Sequence, residues 1–180
     1  KLFPSTEENS RQYFYPVGGK FQISIKEEIM GLNIVLIEPE IPNNTGNIGR
    51  LSLASGSTLH LVKPFGFELS DKRVKRAGLD YWQHVDLKIY ESVDEFFSTH
   101  KGKKMAFLSS HGNKSVYEIA FEDDMLLIFG KESVGLSEEI TNANSEKLYQ
   151  IPIHSEHIRS LNLANAVSVV VYEGLRQLRK

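Results

Sequence analysis

Two short, unbroken apolar runs, Asn33-Ile-Val-Leu-Ile-Glu38 and Asp124-Met-Leu-Leu-Ile-Phe129, most restrict what this chain can fold into. A strand with one wet face alternates apolar and polar residues. A strand with no polar residue inside it must be covered on both faces, as at the centre of a parallel sheet flanked by helices. Further strand patterns lie at residues 59–63, 85–90, 104–108 and 147–153. Helical patterns fall between them at 48–55, at 71–79, at 93–99 behind a capping Ser92, and in a short helix opened by Ser137. Strands alternating with helices at this spacing predict an α/β domain, a mainly parallel sheet with helices on both faces.

The last element is read from Ser160-Leu-Asn-Leu-Ala-Asn-Ala-Val-Ser-Val-Val-Val-Tyr-Glu-Gly174. Val169-Val-Val favours a strand on propensity. Leu161, Ala164, Val167 and Val171 keep three-to-four spacing, which predicts a buried helix capped by Ser160 and ending at Gly174. Asparagine is a poor helix-interior residue because its amide competes for backbone hydrogen bonds. Asn162 and Asn165 in the first turns therefore need a reason, either capping with satisfied buried amides or a ligand site.

At 180 residues the chain suits one compact domain. Residues 32–180 carry the regular pattern, whereas 1–31 form an extension with one alternating strand near 21–25. That extension reads equally as a natural tail, a hairpin added to the core, or a non-native segment. The chain holds no cysteine, which excludes a disulfide framework and thiolate metal sites. No apolar run approaches the roughly 20 residues a membrane helix needs, so a cytoplasmic protein is expected. A net charge of −2 does not advertise a polyanion partner, though it leaves room for a local basic patch.

Three polar loops follow buried strands, at 43–50, 130–136 and 153–165, and ligands of open parallel sheets sit beyond the carboxyl ends of the strands. No dinucleotide fingerprint or P-loop is present. Arg50 is either a solvated surface residue or a planar fork for a phosphate or carboxylate. Glu132 is a general base, a ligand acceptor or a plain loop carboxylate. Lys72, Arg73, Lys75 and Arg76 are a solvated helix face, or phosphate contacts with Tyr81 and Trp82 stacking beside them. His154 and His157 lack a third ligand, so no metal is expected, and no nucleophile elbow supports a serine triad.

Taken together, Leu32-Asn-Ile-Val-Leu-Ile-Glu-Pro-Glu-Ile-Pro-Asn-Asn-Thr-Gly-Asn-Ile-Gly-Arg50, Lys72-Arg-Val-Lys-Arg-Ala-Gly-Leu-Asp-Tyr81, Ile128-Phe-Gly-Lys-Glu-Ser-Val-Gly-Leu136 and Ser160-Leu-Asn-Leu-Ala-Asn165 resemble a known family. They look like the signature motifs of the SPOUT superfamily of RNA methyltransferases. Within it they are similar to the TrmL (YibK-type) tRNA (cytidine/uridine-34) 2′-O-methyltransferases. The resemblance implies a C-terminal trefoil knot holding S-adenosylmethionine, and a homodimer whose site for the tRNA anticodon stem-loop draws on both subunits. Connection rules alone argue against a knot. By the same resemblance the cofactor is held by Leu108, Gly130, Ile151, Ser160 and Leu161. Arg50 stands at the catalytic centre, with Glu132, Asn162 and Asn165 shaping the site; separately, the basic helix carrying Lys72, Arg73, Lys75 and Arg76 is expected to bind the anticodon stem-loop. The chain departs from the family at Lys131, where a proline is common. The rival readings are a 2′-O-methyltransferase acting on rRNA or another tRNA position, and a non-catalytic RNA-binding module.

Overall fold

The structure, a computed structural model, describes residues 13–17, 20–24, 31–69 and 81–178. It divides into two units, Lys1–Met30 and Gly31–Lys180. In the first, β1 (Tyr13–Val17) and β2 (Lys20–Ser24) pair antiparallel from Tyr13↔Ser24 to Val17↔Lys20. The alternation near 21–25 thus belongs to the second arm of a hairpin whose first arm carries Pro16 and no clear alternation.

The second unit is built on β3 (Asn33–Ile37), β4 (Thr58–Val62), β5 (Leu87–Tyr90), β6 (Met105–Leu108), β7 (Lys114–Ser115), β8 (Leu126–Phe129) and β9 (Leu148–Gln150). Their order across the sheet is β5-β4-β3-β8-β6-β9-β7, and every pairing is parallel. The two unbroken apolar runs are the adjacent strands β3 and β8, each buried along its whole length. Alternate residues feed two cores. Ile34 and Leu36 join Ile48, Val167 and Val171 on one face, while Val35 and Ile37 join Phe96 and Ile140 on the other. Helices α1 (Pro42–Ser55) and α4 (Leu163–Leu178) therefore cover one side, and α2 (Val93–Thr99) and α3 (Glu138–Ala143) the other.

The two short helices follow local rules. The Ser92 and Ser137 hydroxyls accept from the amides of Glu95 and Ile140, each followed by two acidic residues in the first turn, where the helix dipole favours them. The two long helices depart from the sequence reading. Helix α1 begins at Pro42, so the polar segment expected to be a loop up to Asn47 is its first turns. Helix α4 begins at Leu163 with Asn162, not Ser160, as its cap: the Asn162 side chain accepts from Ala164 N at 3.0 Å. It also runs through Gly174, where a Cβ would lie 2.6 Å from Leu32 Cδ1 and 2.7 Å from Phe121 Cδ1. That glycine is a close-packing point rather than a stop. The basic helix expected at 71–79 falls outside the described residues. No helix among the described residues is long and apolar enough to cross a membrane.

A chain of polar side chains crosses the sheet on the α2 side, from β8 towards the edge strand β5. Asn33 Nδ2 donates to the Asp124 carboxylate at 2.9 Å and to its carbonyl at 3.1 Å. Its Oδ1 therefore faces fully buried His60, whose Nε2 must donate across 2.9 Å. His60 Nδ1 then accepts from the Tyr90 hydroxyl at 2.9 Å, and the Tyr90 oxygen accepts from His100 Nε2 at 2.9 Å. One proton arrangement satisfies every link. Burial holds the His60 imidazole down to about 4, helped by Lys88 and His100 and opposed by Asp86 and Asp124. The unfolded chain thus binds more protons than the folded one between pH about 4 and about 6.5. The His60 contribution to stability is complete above the upper value and is lost as pH falls to the lower. We expect urea unfolding to show roughly 3 kcal/mol of this dependence, and His60→Gln to flatten it. An unchanged pH slope in that variant would refute the assignment.

Candidate active site

Beyond the carboxyl ends of β3, β6, β8 and β9, the connecting loops enclose an open cleft of about 1110 Å³. Its shape begins with the Gly130 loop. Lys131 and Gly135 pair as an antiparallel bridge, and the Gly135 amide donates to the Lys131 carbonyl at 2.8 Å. The loop closes on itself so tightly that a Cβ on Gly130 would lie 2.1 Å from the Gly135 carbonyl carbon. Only glycine fits there without moving backbone.

That loop is bound to the one after β3 at three places. Lys131 Nζ meets Glu38 Oε2 at 2.6 Å, an ion pair that raises the Lys131 pKa. Ser133 donates to the Glu40 carboxylate from its hydroxyl and its amide, both at 2.9 Å, holding that acid below its usual value. Between them, the Glu132 carboxylate accepts from Glu40 N at 2.8 Å, Ile41 N at 3.2 Å and Asn44 Nδ2 at 3.0 Å. Ile41, the residue before α1, has no side chain able to cap it. A carboxylate 91 residues further along the chain supplies the acceptor and the negative charge that a helix start favours. This is why Asn43, Asn44 and Gly46, poor helix formers, are helical.

Asn44 passes the connection on. It is buried, its amide nitrogen is used by Glu132, and its Oδ1 accepts from Asn162 Nδ2 at 3.0 Å. Asn162 in turn caps α4. Three loops are thereby locked together through Glu132, Asn44 and Asn162.

Leu108, Gly130, Ile151, Ser160 and Leu161 all line this cleft, together with Glu132 and Asn162. Arg50 and Asn165 do not. Arg50 is exposed on α1, with its Cζ 4.8 Å from the centre of the Tyr81 ring. Asn165 is exposed on α4. Lys72, Arg73, Lys75 and Arg76 lie outside the described residues. Among the described residues no group of three metal-ligating side chains gathers. Asn44, Glu40 and Ser133 escaped the sequence reading. Asn44 sits inside the quoted motif, but nothing local separates it from Asn43. Asn44→Ala should lower unfolding stability by about 1 kcal/mol, since it removes two hydrogen bonds of a buried amide to partly exposed partners. Asn44→Ala combined with Asn162→Ala should cost less than the sum of the two single changes in urea denaturation. Strict additivity would show that the network is not shared.

Comparison with known proteins places this geometry in a lineage. A Yersinia pestis protein named tRNA (cytidine(34)-2'-O)-methyltransferase is 43% identical over 153 residues, covering 82% of this chain and 94% of its own length. A structure solved in work on the 2-OH methylation of C/U34 on tRNA superposes with a TM-score of 0.79 at 45% identity, covering 83% of this chain and 97% of that one. The AdoMet complex of the SpoU methyltransferase AviRb from Streptomyces viridochromogenes shares the fold, with a TM-score of 0.73 at 24% identity, over 82% of this chain and 58% of its own. The SpoU rRNA Methylase family model matches residues 31–172, nearly all of the α/β unit, and the chain belongs to that family.

Proposed function

We propose that this chain is an S-adenosylmethionine-dependent enzyme that methylates the ribose 2′-oxygen of the wobble nucleotide, C34 or U34, in tRNA. One observation carries the reading. The 45%-identical structure from work on C/U34 methylation matches over 97% of its own length and 83% of this chain. The rRNA in the family's name is the second reading, and a tRNA-against-rRNA comparison separates the two.

The cleft fits the cofactor. Leu108, Ile151 and Leu161 supply apolar walls for a nucleoside, while Ser160 and the backbone of the Gly130 loop supply polar edges. When bound, the cofactor contributes an electrophilic methyl group on a sulfonium. The chain's own part is to hold the ribose in line and to accommodate charge as the hydroxyl loses its proton. An arginine side chain is almost always protonated, which makes Arg50 an uneasy general base. It grips an RNA phosphate and stabilises the developing alkoxide. Glu132 and Asn162 hold the loops that define the pocket, and Asn165 shapes its approach.

The remaining expectations form part of the same proposal. Strand β9 enters between β6 and β7, which are consecutive in the chain, an arrangement that suits a C-terminal trefoil knot. Arg50 outside the cleft suits a homodimer in which a second subunit completes the site. Val169 at 37% exposure and Tyr172 at 54% give α4 an apolar outer face for that contact. Residues 1–31 are an extension to the catalytic domain 32–180. A cytoplasmic location suits a tRNA substrate.

Incubation with labelled S-adenosylmethionine and total tRNA, followed by mapping, should place the methyl group on ribose 34. Arg50→Ala should lower the rate by at least about 100-fold while cofactor affinity stays near wild type. Loss of cofactor affinity instead would move Arg50 into the pocket and overturn its role. Replacing Lys72, Arg73, Lys75 and Arg76 by alanine should weaken tRNA binding and flatten its salt dependence, by roughly 0.7–0.9 in log–log slope for each phosphate no longer neutralised. An unaltered salt slope would exclude this cluster from the RNA interface.

A further inference from the structure

Arg50 and Tyr81 form a pair whose construction exceeds a chance surface contact. Tyr81 is half-buried, and its hydroxyl donates to the Gly46 carbonyl at 3.1 Å. Gly46 lies four residues before Arg50, on the same face of α1. The phenol end is thus fixed one turn below Arg50, and the guanidinium carbon sits 4.8 Å from the ring centre. Trp82 fastens the same segment one residue on. Its ring lies so close to α1 that a Cβ on Gly49 would stand 2.4 Å from Trp82 Cζ3. Residues 46 and 49, both glycine, leave α1 bare where the two rings dock. The face of Tyr81 turned to Arg50 is occupied, so that face cannot stack on a base.

An arginine side chain has many rotamers, and at an exposed position it spends most of its time away from any one geometry. A ring beneath the guanidinium fixes its plane through cation–π attraction and stacking, yet leaves the in-plane N–H edge free. Arg50 makes no hydrogen bond or ion pair within the protein among the described residues. Its fork is therefore available to an outside oxyanion, and bidentate contact with an oxyanion needs that edge.

We propose that Tyr81 is a positioning residue for the methyl transfer, its ring setting the plane in which Arg50 meets the RNA oxyanion. This rests on the role given to Arg50 above. The hydroxyl of Tyr81 secures the ring to α1 through Gly46.

The test is single-turnover methylation of total tRNA with labelled S-adenosylmethionine and excess enzyme. Tyr81→Leu should slow transfer about tenfold, with cofactor affinity and the unfolding transition close to wild type. Tyr81→Phe, which keeps the ring and loses the hydroxyl, should stay within about twofold of wild type. In an Arg50→Lys background, where the cation has no plane to orient, Tyr81→Leu should cost less than about twofold. Tyr81→Met replaces Tyr81→Leu if the latter does not fold. Transfer at the wild-type rate in the ring-free variant would overturn the inference. So would a Tyr81→Phe protein as slow as Tyr81→Leu, or an equal loss in the Arg50→Lys background. A wild-type chain that methylates no tRNA overturns the reading of Arg50 itself, and this inference with it. Wild-type transfer with Tyr81→Leu unaffected overturns the inference alone.

Discussion

The carboxylate of Glu132 at the start of α1 is the contact on which the shape of the cleft depends. A helix start exposes amides that need acceptors, and Pro42-Asn-Asn-Thr-Gly offers neither a capping side chain nor high helix propensity. With Glu132 in place, those residues become helical and Asn44 is presented to both Glu132 and Asn162. The start of α4 is then tied to the same point. Glu132 thus supplies the acceptor for two amides at the entry of α1 and one of the two side-chain bonds that orient Asn44. The same residue thus serves helix formation and pocket geometry, so no line can be drawn between its structural and its functional value.

This dependence explains which parts of the fold the sequence could disclose. Strands β3 and β8 were legible because burial on both faces leaves a mark inside five or six consecutive residues. Helices α2 and α3 were legible because Ser92 and Ser137 cap from the adjacent position. The start of α1 was not, because its cap is 91 residues away. Gly174 read as a stop because glycine usually weakens a helix, whereas here the closeness of Leu32 and Phe121 decides. His60 read as an ordinary strand residue, since its partners arrive from β3, β5 and the end of α2. The pocket walls were named through a family resemblance. Asn44, which joins them, had no local signal distinguishing it from its neighbour.

Polar groups are put to two opposite uses around one sheet. On the α2 side, Asn33, His60, Tyr90 and His100 satisfy one another in a single proton order, and burial keeps His60 neutral. Beyond the carboxyl ends of the strands, the Glu38, Glu40 and Glu132 acids are spent on holding loops together, while Arg50 spends none of its N–H edge among the described residues. A closed network suits rigidity and an open donor edge suits recognition, and the chain keeps the two apart.

The slot taken by β9 has a consequence for how the molecule comes into being. Both of its neighbours, β6 and β7, are synthesised before it; β6 can pair with β8 alone, but β7 has its place in the sheet only once residues 148–150 lie between the two. Tyr149 also supplies the carbonyl that receives the Ser109 amide, at the wall of the pocket. On a ribosome the pocket therefore cannot exist in any nascent form before residue 150 has emerged. A chain cut short of β9 lacks the Tyr149 and Ile151 walls of the pocket and the segment from Arg159 to Ala166 that completes it.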